Sequence, residues 1–373
     1  MVTSSKKFLP VCLILLMLTA SSSFGQIIYG QPASGGARFI FSHWSAEEDG
    51  EKSEIDQIAY PVNGFVPLKD NLEARLFMAG STNDLEQAGS TYSLSGFSDV
   101  RLQLSQSVMD DRFLFSLGIN APTGKRDLNI DEEWPVMEFL ASNYLSFPLR
   151  RLGEGFGLNL LAGAAGSSGD MRYGASVMYQ FNGTYTAYKD SGDYNPGDIF
   201  SVQVNADKQI NQMLLFANMG FTVYGTDKLE DEKIFRQSNQ FNINAGMMLT
   251  GEKTSLVSNI GYLIRGRNTR YDTTEAIFDQ LKIYGNEFLF NSTVDWTFTE
   301  NWYLSPSVEF RLIGANEYDF DSSNIFGFGT GIGRRFGEDI DLNIDFKYFT
   351  GSADGGDIDL SGYRLSAGLA TAF

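Results

Sequence analysis

Residues 340–348 read Ile-Asp-Leu-Asn-Ile-Asp-Phe-Lys-Tyr. Ile340, Leu342, Ile344, Phe346 and Tyr348 share one parity and Asp341, Asn343, Asp345 and Lys347 the other, the period of two that puts oily and polar side chains on opposite faces of a strand. The alternation recurs over 303–312, where Leu304, Pro306, Val308, Phe310 and Leu312 oppose Tyr303, Ser305, Ser307, Glu309 and Arg311. It recurs again over 240–249, with Phe241, Ile243, Ala245, Met247 and Leu249 against Asn242, Asn244 and Gly246. Shorter segments of the kind are 100–104, 113–119, 200–206, 256–264 and 288–298, and no comparable stretch has a helical period.

A soluble sandwich alternates as well, so the connectors must discriminate. Short ones lie near 69–71, 110–111, 209–211, 251–253, 300–301 and 337–339; longer polar ones cover 81–95, 122–136, 226–236, 268–283, 314–323 and 351–357. Tight turns at one end and long loops at the other are the asymmetry of a transmembrane barrel. Such a sheet must close, because open edges would leave N–H and C=O groups unpaired in hydrocarbon.

The two ends agree. Lys6 and Lys7, an apolar run over 8–18 and the small residues Ser23 and Gly25 read as a cleaved signal peptide over 1–25. The run is too short for a retained spanning helix, which needs roughly 20 apolar residues. The last strand sets Tyr363, Leu365, Ala367, Leu369, Thr371 and Phe373 in one row ending at a terminal phenylalanine. Such endings resemble the signature by which outer-membrane barrels are recognised for insertion, so the barrel-assembly machinery is an expected partner. Ile358 and Leu360 lie on the other parity, which predicts a bulge near Ser361 and Gly362.

The expected fold is therefore all-β, a transmembrane antiparallel β-barrel of about 16 strands, 14 to 18 being allowed, in the outer membrane of a Gram-negative bacterium. Two segments are doubtful strands, 37–44 and 184–188; keeping both gives 18, and sixteen follows from setting both aside. The domains read as a signal peptide over 1–25, a mature N-terminal segment over 26–37 without a plug signature, and the barrel over 38–373.

Composition removes several chemistries. The single cysteine, Cys12, lies in the leader, so the mature chain has no disulfide, thiol nucleophile or cysteine-bound metal. His43 is the lone histidine, which excludes a multi-histidine metal site, and no cofactor is expected. Net charge is −18 for the whole chain; loss of Lys6 and Lys7 with the leader makes it −20, an unsuitable surface for nucleic acid. Ser42-His43 is the one histidine-based candidate for a lipid-modifying enzyme, but neighbours on a strand face opposite ways, and no enzyme activity is expected. A 22-strand barrel with a globular plug needs more residues than this chain has.

On the parity opposite the oily rows, Asp99, Arg101, Asp207, Asp295, Glu309, Arg311, Asp345, Lys347 and Arg364 face the lumen. They read either as cross-strand ion pairs or as a selectivity path. Gly327, Gly329, Gly331 and Gly333 make a side-chain-free inward row that leaves space or permits close packing. Acidic loop residues, among them Glu47, Glu48, Asp49, Asp131, Glu132, Glu133, Glu230, Asp231, Glu232, Asp354, Asp357 and Asp359, read as solvated, with bridging cations to lipopolysaccharide as the alternative.

Two pieces, Gly96-Phe97-Ser98-Asp99-Val100-Arg101-Leu102 and Phe115-Ser116-Leu117-Gly118-Ile119-Asn120-Ala121-Pro122-Thr123-Gly124, resemble the outer-membrane family associated with meta-pathway phenol degradation, itself similar to the long-chain fatty-acid channels. Tyr194-Asn195-Pro196-Gly197-Asp198 is a weaker echo. The resemblance implies uptake of hydrophobic or aromatic small molecules through a barrel. The expected function is an outer-membrane channel for a small-molecule solute, set in outer-membrane lipid and lipopolysaccharide. The alternatives are a structural or adhesive barrel acting through its acidic loops and, third, a lipid-modifying enzyme.

Overall fold

The computed structural model describes residues 32–337 and 339–373. The signal-peptide expectation and residues 26–31 of the N-terminal segment lie outside the described residues. Sixteen antiparallel strands form a closed wall: β1 Ser34–Glu48, β2 Glu51–Ala59 continued by Val62–Lys69, β3 Leu72–Met78 continued by Gly80–Gln87, β4 Ser90–Phe97 continued by Val100–Val108, β5 Phe113–Ala121, β6 Gly157–Ser168, β7 Met171–Asn182, β8 Ile199–Ile210, β9 Met213–Tyr224, β10 Gln240–Thr250, β11 Thr254–Arg265, β12 Glu287–Thr297, β13 Trp302–Leu304 continued by Ser307–Ile313, β14 Ser323–Phe336, β15 Ile340–Ala353 and β16 Ile358–Ala372. Closure is made by β1 against β16, from Ser34 opposite Ala372 to Glu48 opposite Ile358, so every strand has a neighbour on both sides and no edge meets lipid.

The outer rows are oily. Val177, Val202, Phe221, Ile243, Ile260, Phe326, Ile344 and Leu365 are exposed, which is stable only where hydrocarbon replaces water. Tyr179, Phe181, Phe200, Tyr262 and Phe326 girdle one rim and Tyr173, Trp296, Phe298, Trp302 and Phe336 the other, matching the two membrane interfaces. Arg334, on the outward parity near the second rim, lays its guanidinium over Trp302 at 5.2 Å and Phe336 at 4.5 Å, keeping its charge at the interface. The start of β1 at Ser34 and the end of β16 at Ala372 lie at this rim with the short turns.

The count of sixteen holds, but its membership differs from expectation. Segment 37–44 is inside β1 and belongs to the wall, whereas 184–188 contributes only Tyr185–Thr186 to a separate six-stranded sheet beyond the other rim. That sheet is built from hairpins that prolong the loops after β7, β9 and β11. Residues 81–95 are not a loop; they are the paired ends of β3 and β4, turning at Ala88 and Gly89. The bulge expected near Ser361 is absent, and β15 and β16 pair in unbroken register from Ile358 to Thr371. Ile358 and Leu360 point inward and are buried, because at this height the lumen contains protein rather than water.

Candidate functional site

What fills that part of the lumen is the connection between β5 and β6, residues 122–156. Trp134–Ala141 of this loop forms helix α1, with Pro135 in its first turn, where the missing N–H costs nothing. Val136, Leu140, Leu145, Phe147 and Leu152 of the loop pack with Trp44, Ile55, Leu85, Leu94, Ile313, Ile325, Phe349, Ala353 and Leu360, all on the inner faces of β1 to β4 and β13 to β16. Trp44 stacks on Phe349 at 5.0 Å between ring centres. The barrel thus has an apolar core of its own on one side.

The loop's neck is tied by one carboxylate. Asp99, which interrupts β4, accepts hydrogen bonds from the main-chain N–H of Gly124 at 2.7 Å and of Glu154 at 2.6 Å, and from the Asn120 amide at 3.1 Å. Here the two legs of the loop pass so closely that a Cβ on Gly124 would stand 2.8 Å from the Gly153 Cα, and one on Gly153 2.7 Å from the Lys125 carbonyl oxygen. Glycine is required at both. Asp99, Asn120 and Gly124, which lie in the two pieces that carry the family resemblance, Gly96 to Leu102 and Phe115 to Gly124, thus form part of the clasp at the loop's neck.

Beyond α1 the chain runs down the inner wall. The Gln57 side chain donates to the Leu149 carbonyl at 2.7 Å and accepts from its N–H at 3.1 Å, completing two main-chain bonds as a neighbouring strand would. Gln57 also donates to Asn83, which donates to Ser81 and the Leu94 carbonyl. Arg364 donates to the Ser146 carbonyl oxygen and to Ser42, and lies over the Phe349 ring at 5.5 Å. Across the lumen, Glu287 on β12 is held by Arg265 at 3.0 Å and Arg311 at 2.7 Å. The outer end of the loop is tied by Glu133, bonded to Lys125 and to the Asn129 N–H. Burial works against the charge of Glu133, but these bonds and the Lys125 and Lys189 charges hold its carboxyl below the ordinary glutamate range.

Every lumen candidate from the sequence lies on the inner parity, in three different settings. Lys347 meets Glu309 at 3.0 Å, Asp207 meets Arg172 at 2.6 Å, Asp345 meets Arg38 at 4.0 Å, and Asp295 accepts from Ser305 at 2.5 Å. Arg311 and Arg364 are covered by the inward loop, and Asp99 is its clasp. Arg101 reaches Glu154 near the loop's neck at 3.5 Å. The glycine row of β14 is taken up by close packing: a Cβ on Gly333 would strike the Tyr303 ring, one on Gly327 the Phe349 ring and one on Gly331 the Asp345 carboxylate.

Two features escaped the sequence reading. One is the inward loop, whose signal was present in Trp44, Ile55, Leu85, Leu94, Ile325 and Phe349, large apolar residues on the water-facing parity. The other is the inner row of β6 to β11, which carries Asn159, Gln180, Gln203, Asn205, Asn218, Asn242, Asn244 and Asn259 and no charge between Arg172 and Asp207 near one rim and Arg265 near the other. None of these amides is buried. Asn244 donates to Asn218 at 2.9 Å across β9 and β10. Ser42 and His43 face opposite sides of the wall: Ser42 is buried inside, while His43 meets Asp56 at 2.8 Å on the outer parity. Among the described residues no group of three or more His, Cys, Asp or Glu side chains is placed to hold a metal.

A sealed cylinder with an oily exterior and aromatic rims has one physical solvent. The protein is an outer-membrane β-barrel. Among solved structures, the fold is similar to that of OprB from Pseudomonas putida, with a TM-score of 0.50 at 9% identity over 92% of this chain and 94% of that one. A Pseudomonas aeruginosa FadL homologue gives a TM-score of 0.46 at 8% identity, covering 92% and 90% of the two chains. The CymD monoaromatic hydrocarbon channel gives 0.46 at 10% identity, covering 92% and 89%. At such identities the likeness is one of fold alone. No family model matches the chain, and no curated protein does.

Proposed function

We propose that this barrel is a channel that passes small solutes across the outer membrane through the space between its inward loop and the inner faces of β6 to β11. The observation that carries this reading is the uncovered amide row. Asn and Gln side chains are placed to exchange hydrogen bonds with water or with a passing solute, and they carry no charge that would trap it. The inward loop narrows the passage from the other side, so size and polarity are read at its surface. The lumen residues Glu309, Lys347, Asp345, Asp295 and Asp207 then set the field below the narrowing, largely as compensated pairs. Hydrophobic and aromatic solutes remain the class that the sequence resemblance implies, and the rings of Phe77 and Phe216 on the inner parity suit them.

The test is electrical. Refolded protein in a planar bilayer should give unitary current steps, and proteoliposomes should swell in small uncharged solutes. A barrel that inserts and heat-shifts normally on a gel, yet passes neither ions nor solutes, contradicts the reading.

A further inference from the structure

From the side chains that meet the loop between Leu145 and Arg151, we infer that the narrowing selects anions and that the solute it takes is a small organic molecule bearing a carboxylate. This rests on the channel reading and adds the solute's charge to it. The segment brings Arg150, half-buried, into the neighbourhood of Arg311, Glu287, Arg265 and Arg151. Glu287 is already shared between Arg265 and Arg311. Glu154 is likewise taken, by Arg151 at 3.1 Å and Arg101 at 3.5 Å. The hydrogen bond found for Arg150 is to the Leu145 carbonyl at 2.9 Å, which leaves most of its five N–H donors for another acceptor.

On the other edge of the same segment, the hydrogen bonds of Arg364 go to Ser42 and Ser146, which are neutral; the carboxylate whose charge acts on it, Glu309, is bonded to Lys347. The narrowing therefore carries Arg150, Arg265, Arg311 and Arg364 against Glu287 and against a Glu309 already shared with Lys347, in a chain whose overall charge is −18. Half-buried guanidinium groups keep donors open to the lumen, and a carboxylate matches their paired N–H geometry. Elsewhere on the inner wall cations and carboxylates pair, as in Lys347 with Glu309, Arg172 with Asp207 and Arg75 with Glu73. The excess is local to the loop, and the amide row opposite supplies neutral hydrogen-bond partners for the rest of the molecule.

The experiment compares wild type, Arg150→Gln and Arg150→Lys, each checked for barrel folding by heat-modifiable gel migration. Reversal potentials are read in a KCl gradient, and swelling rates in gluconate against glucose, a carboxylate and a neutral molecule of similar size. Wild type should prefer chloride over potassium by about fivefold and admit gluconate ahead of glucose; Arg150→Gln should lose most of both preferences and Arg150→Lys keep them. Current with a potassium preference, or a preference unchanged in Arg150→Gln, overturns the inference while the channel stands. A wild type that passes no current and no solute overturns the channel reading itself.

Discussion

The two sides of the lumen obey different rules. On β1 to β4 and β13 to β16 the inner row near the outer rim is apolar, Trp44, Ile55, Leu85, Ile325 and Phe349 being buried under the loop. On β6 to β11 the inner row carries amides, serines and glycines, with Leu161, Met178, Phe216 and Met248 among them, and none of its amides is buried. A barrel wall of one outward chemistry thus holds a globular-style core against one half of its interior and a wet surface against the other. The inward parity of a strand follows what touches it: large apolar residues, with the buried amides Gln57 and Asn83 tied to the loop and to each other, on the covered side, and unburied amides on the other.

Removing the loop should abolish the difference. Replacing residues 126–151 by a short Gly-Ser link, which the close pass of Gly124 and Gly153 permits, should raise unitary conductance at least about twofold; an unchanged conductance would mean that the loop does not narrow the path. Next in size is Trp44→Ala on the covered side, expected to cost about 3–5 kcal/mol by opening a cavity in an apolar core. It should be read as a lower urea midpoint of the refolded barrel, with conductance nearly unchanged. Asn244→Asp on the uncovered side should do the reverse, moving ion preference toward cations by about twofold with little change in midpoint. If the two variants exchanged effects, the assignment of the two sides would be inverted.

Most of the wall was legible because lipid imposes a strict code: the parity of 240–249, 303–312 and 340–348 alone places oily rows outside, and the short turns mark one rim. The code fails where its assumption does. The bulge expected near Ser361 and Gly362 follows from equating apolar residues with lipid, whereas Ile358 and Leu360 are buried on the inner parity. Trp44, Leu85 and Phe349 carry the same lesson, since their parity conflicts with a water-filled lumen. The loop's course was hidden because it depends on contacts far apart in sequence, such as Gln57 with Leu149 and Arg364 with Ser146. The candidate charges were found by parity, but only the fold separates paired Lys347 and Glu309 from Asp99, which ties the loop, and from Arg311 and Arg364 beneath it.

A smaller effect concerns pH. Because the folded state holds Glu133 below its ordinary value near 4.5, its stabilisation of the loop is fully present above that pH and is lost as pH falls through the lower folded value. Trp134, next to it at the start of α1, should report the loosening as a fluorescence change between pH 5 and about pH 3, and Glu133→Gln should flatten that response. An unaltered acid response in Glu133→Gln would assign the transition to another group.

The most direct measurement is a cross-link. The chain's one cysteine, Cys12, lies in the segment expected to be removed, so a Gln57→Cys, Leu149→Cys pair introduces two thiols into an otherwise thiol-free barrel. In intact outer membranes, mild oxidation should join them within one chain, and the joined protein should still conduct at the wild-type level. Thiols that stay apart and react freely with a bulky, impermeant maleimide would place the loop outside the barrel and contradict the account.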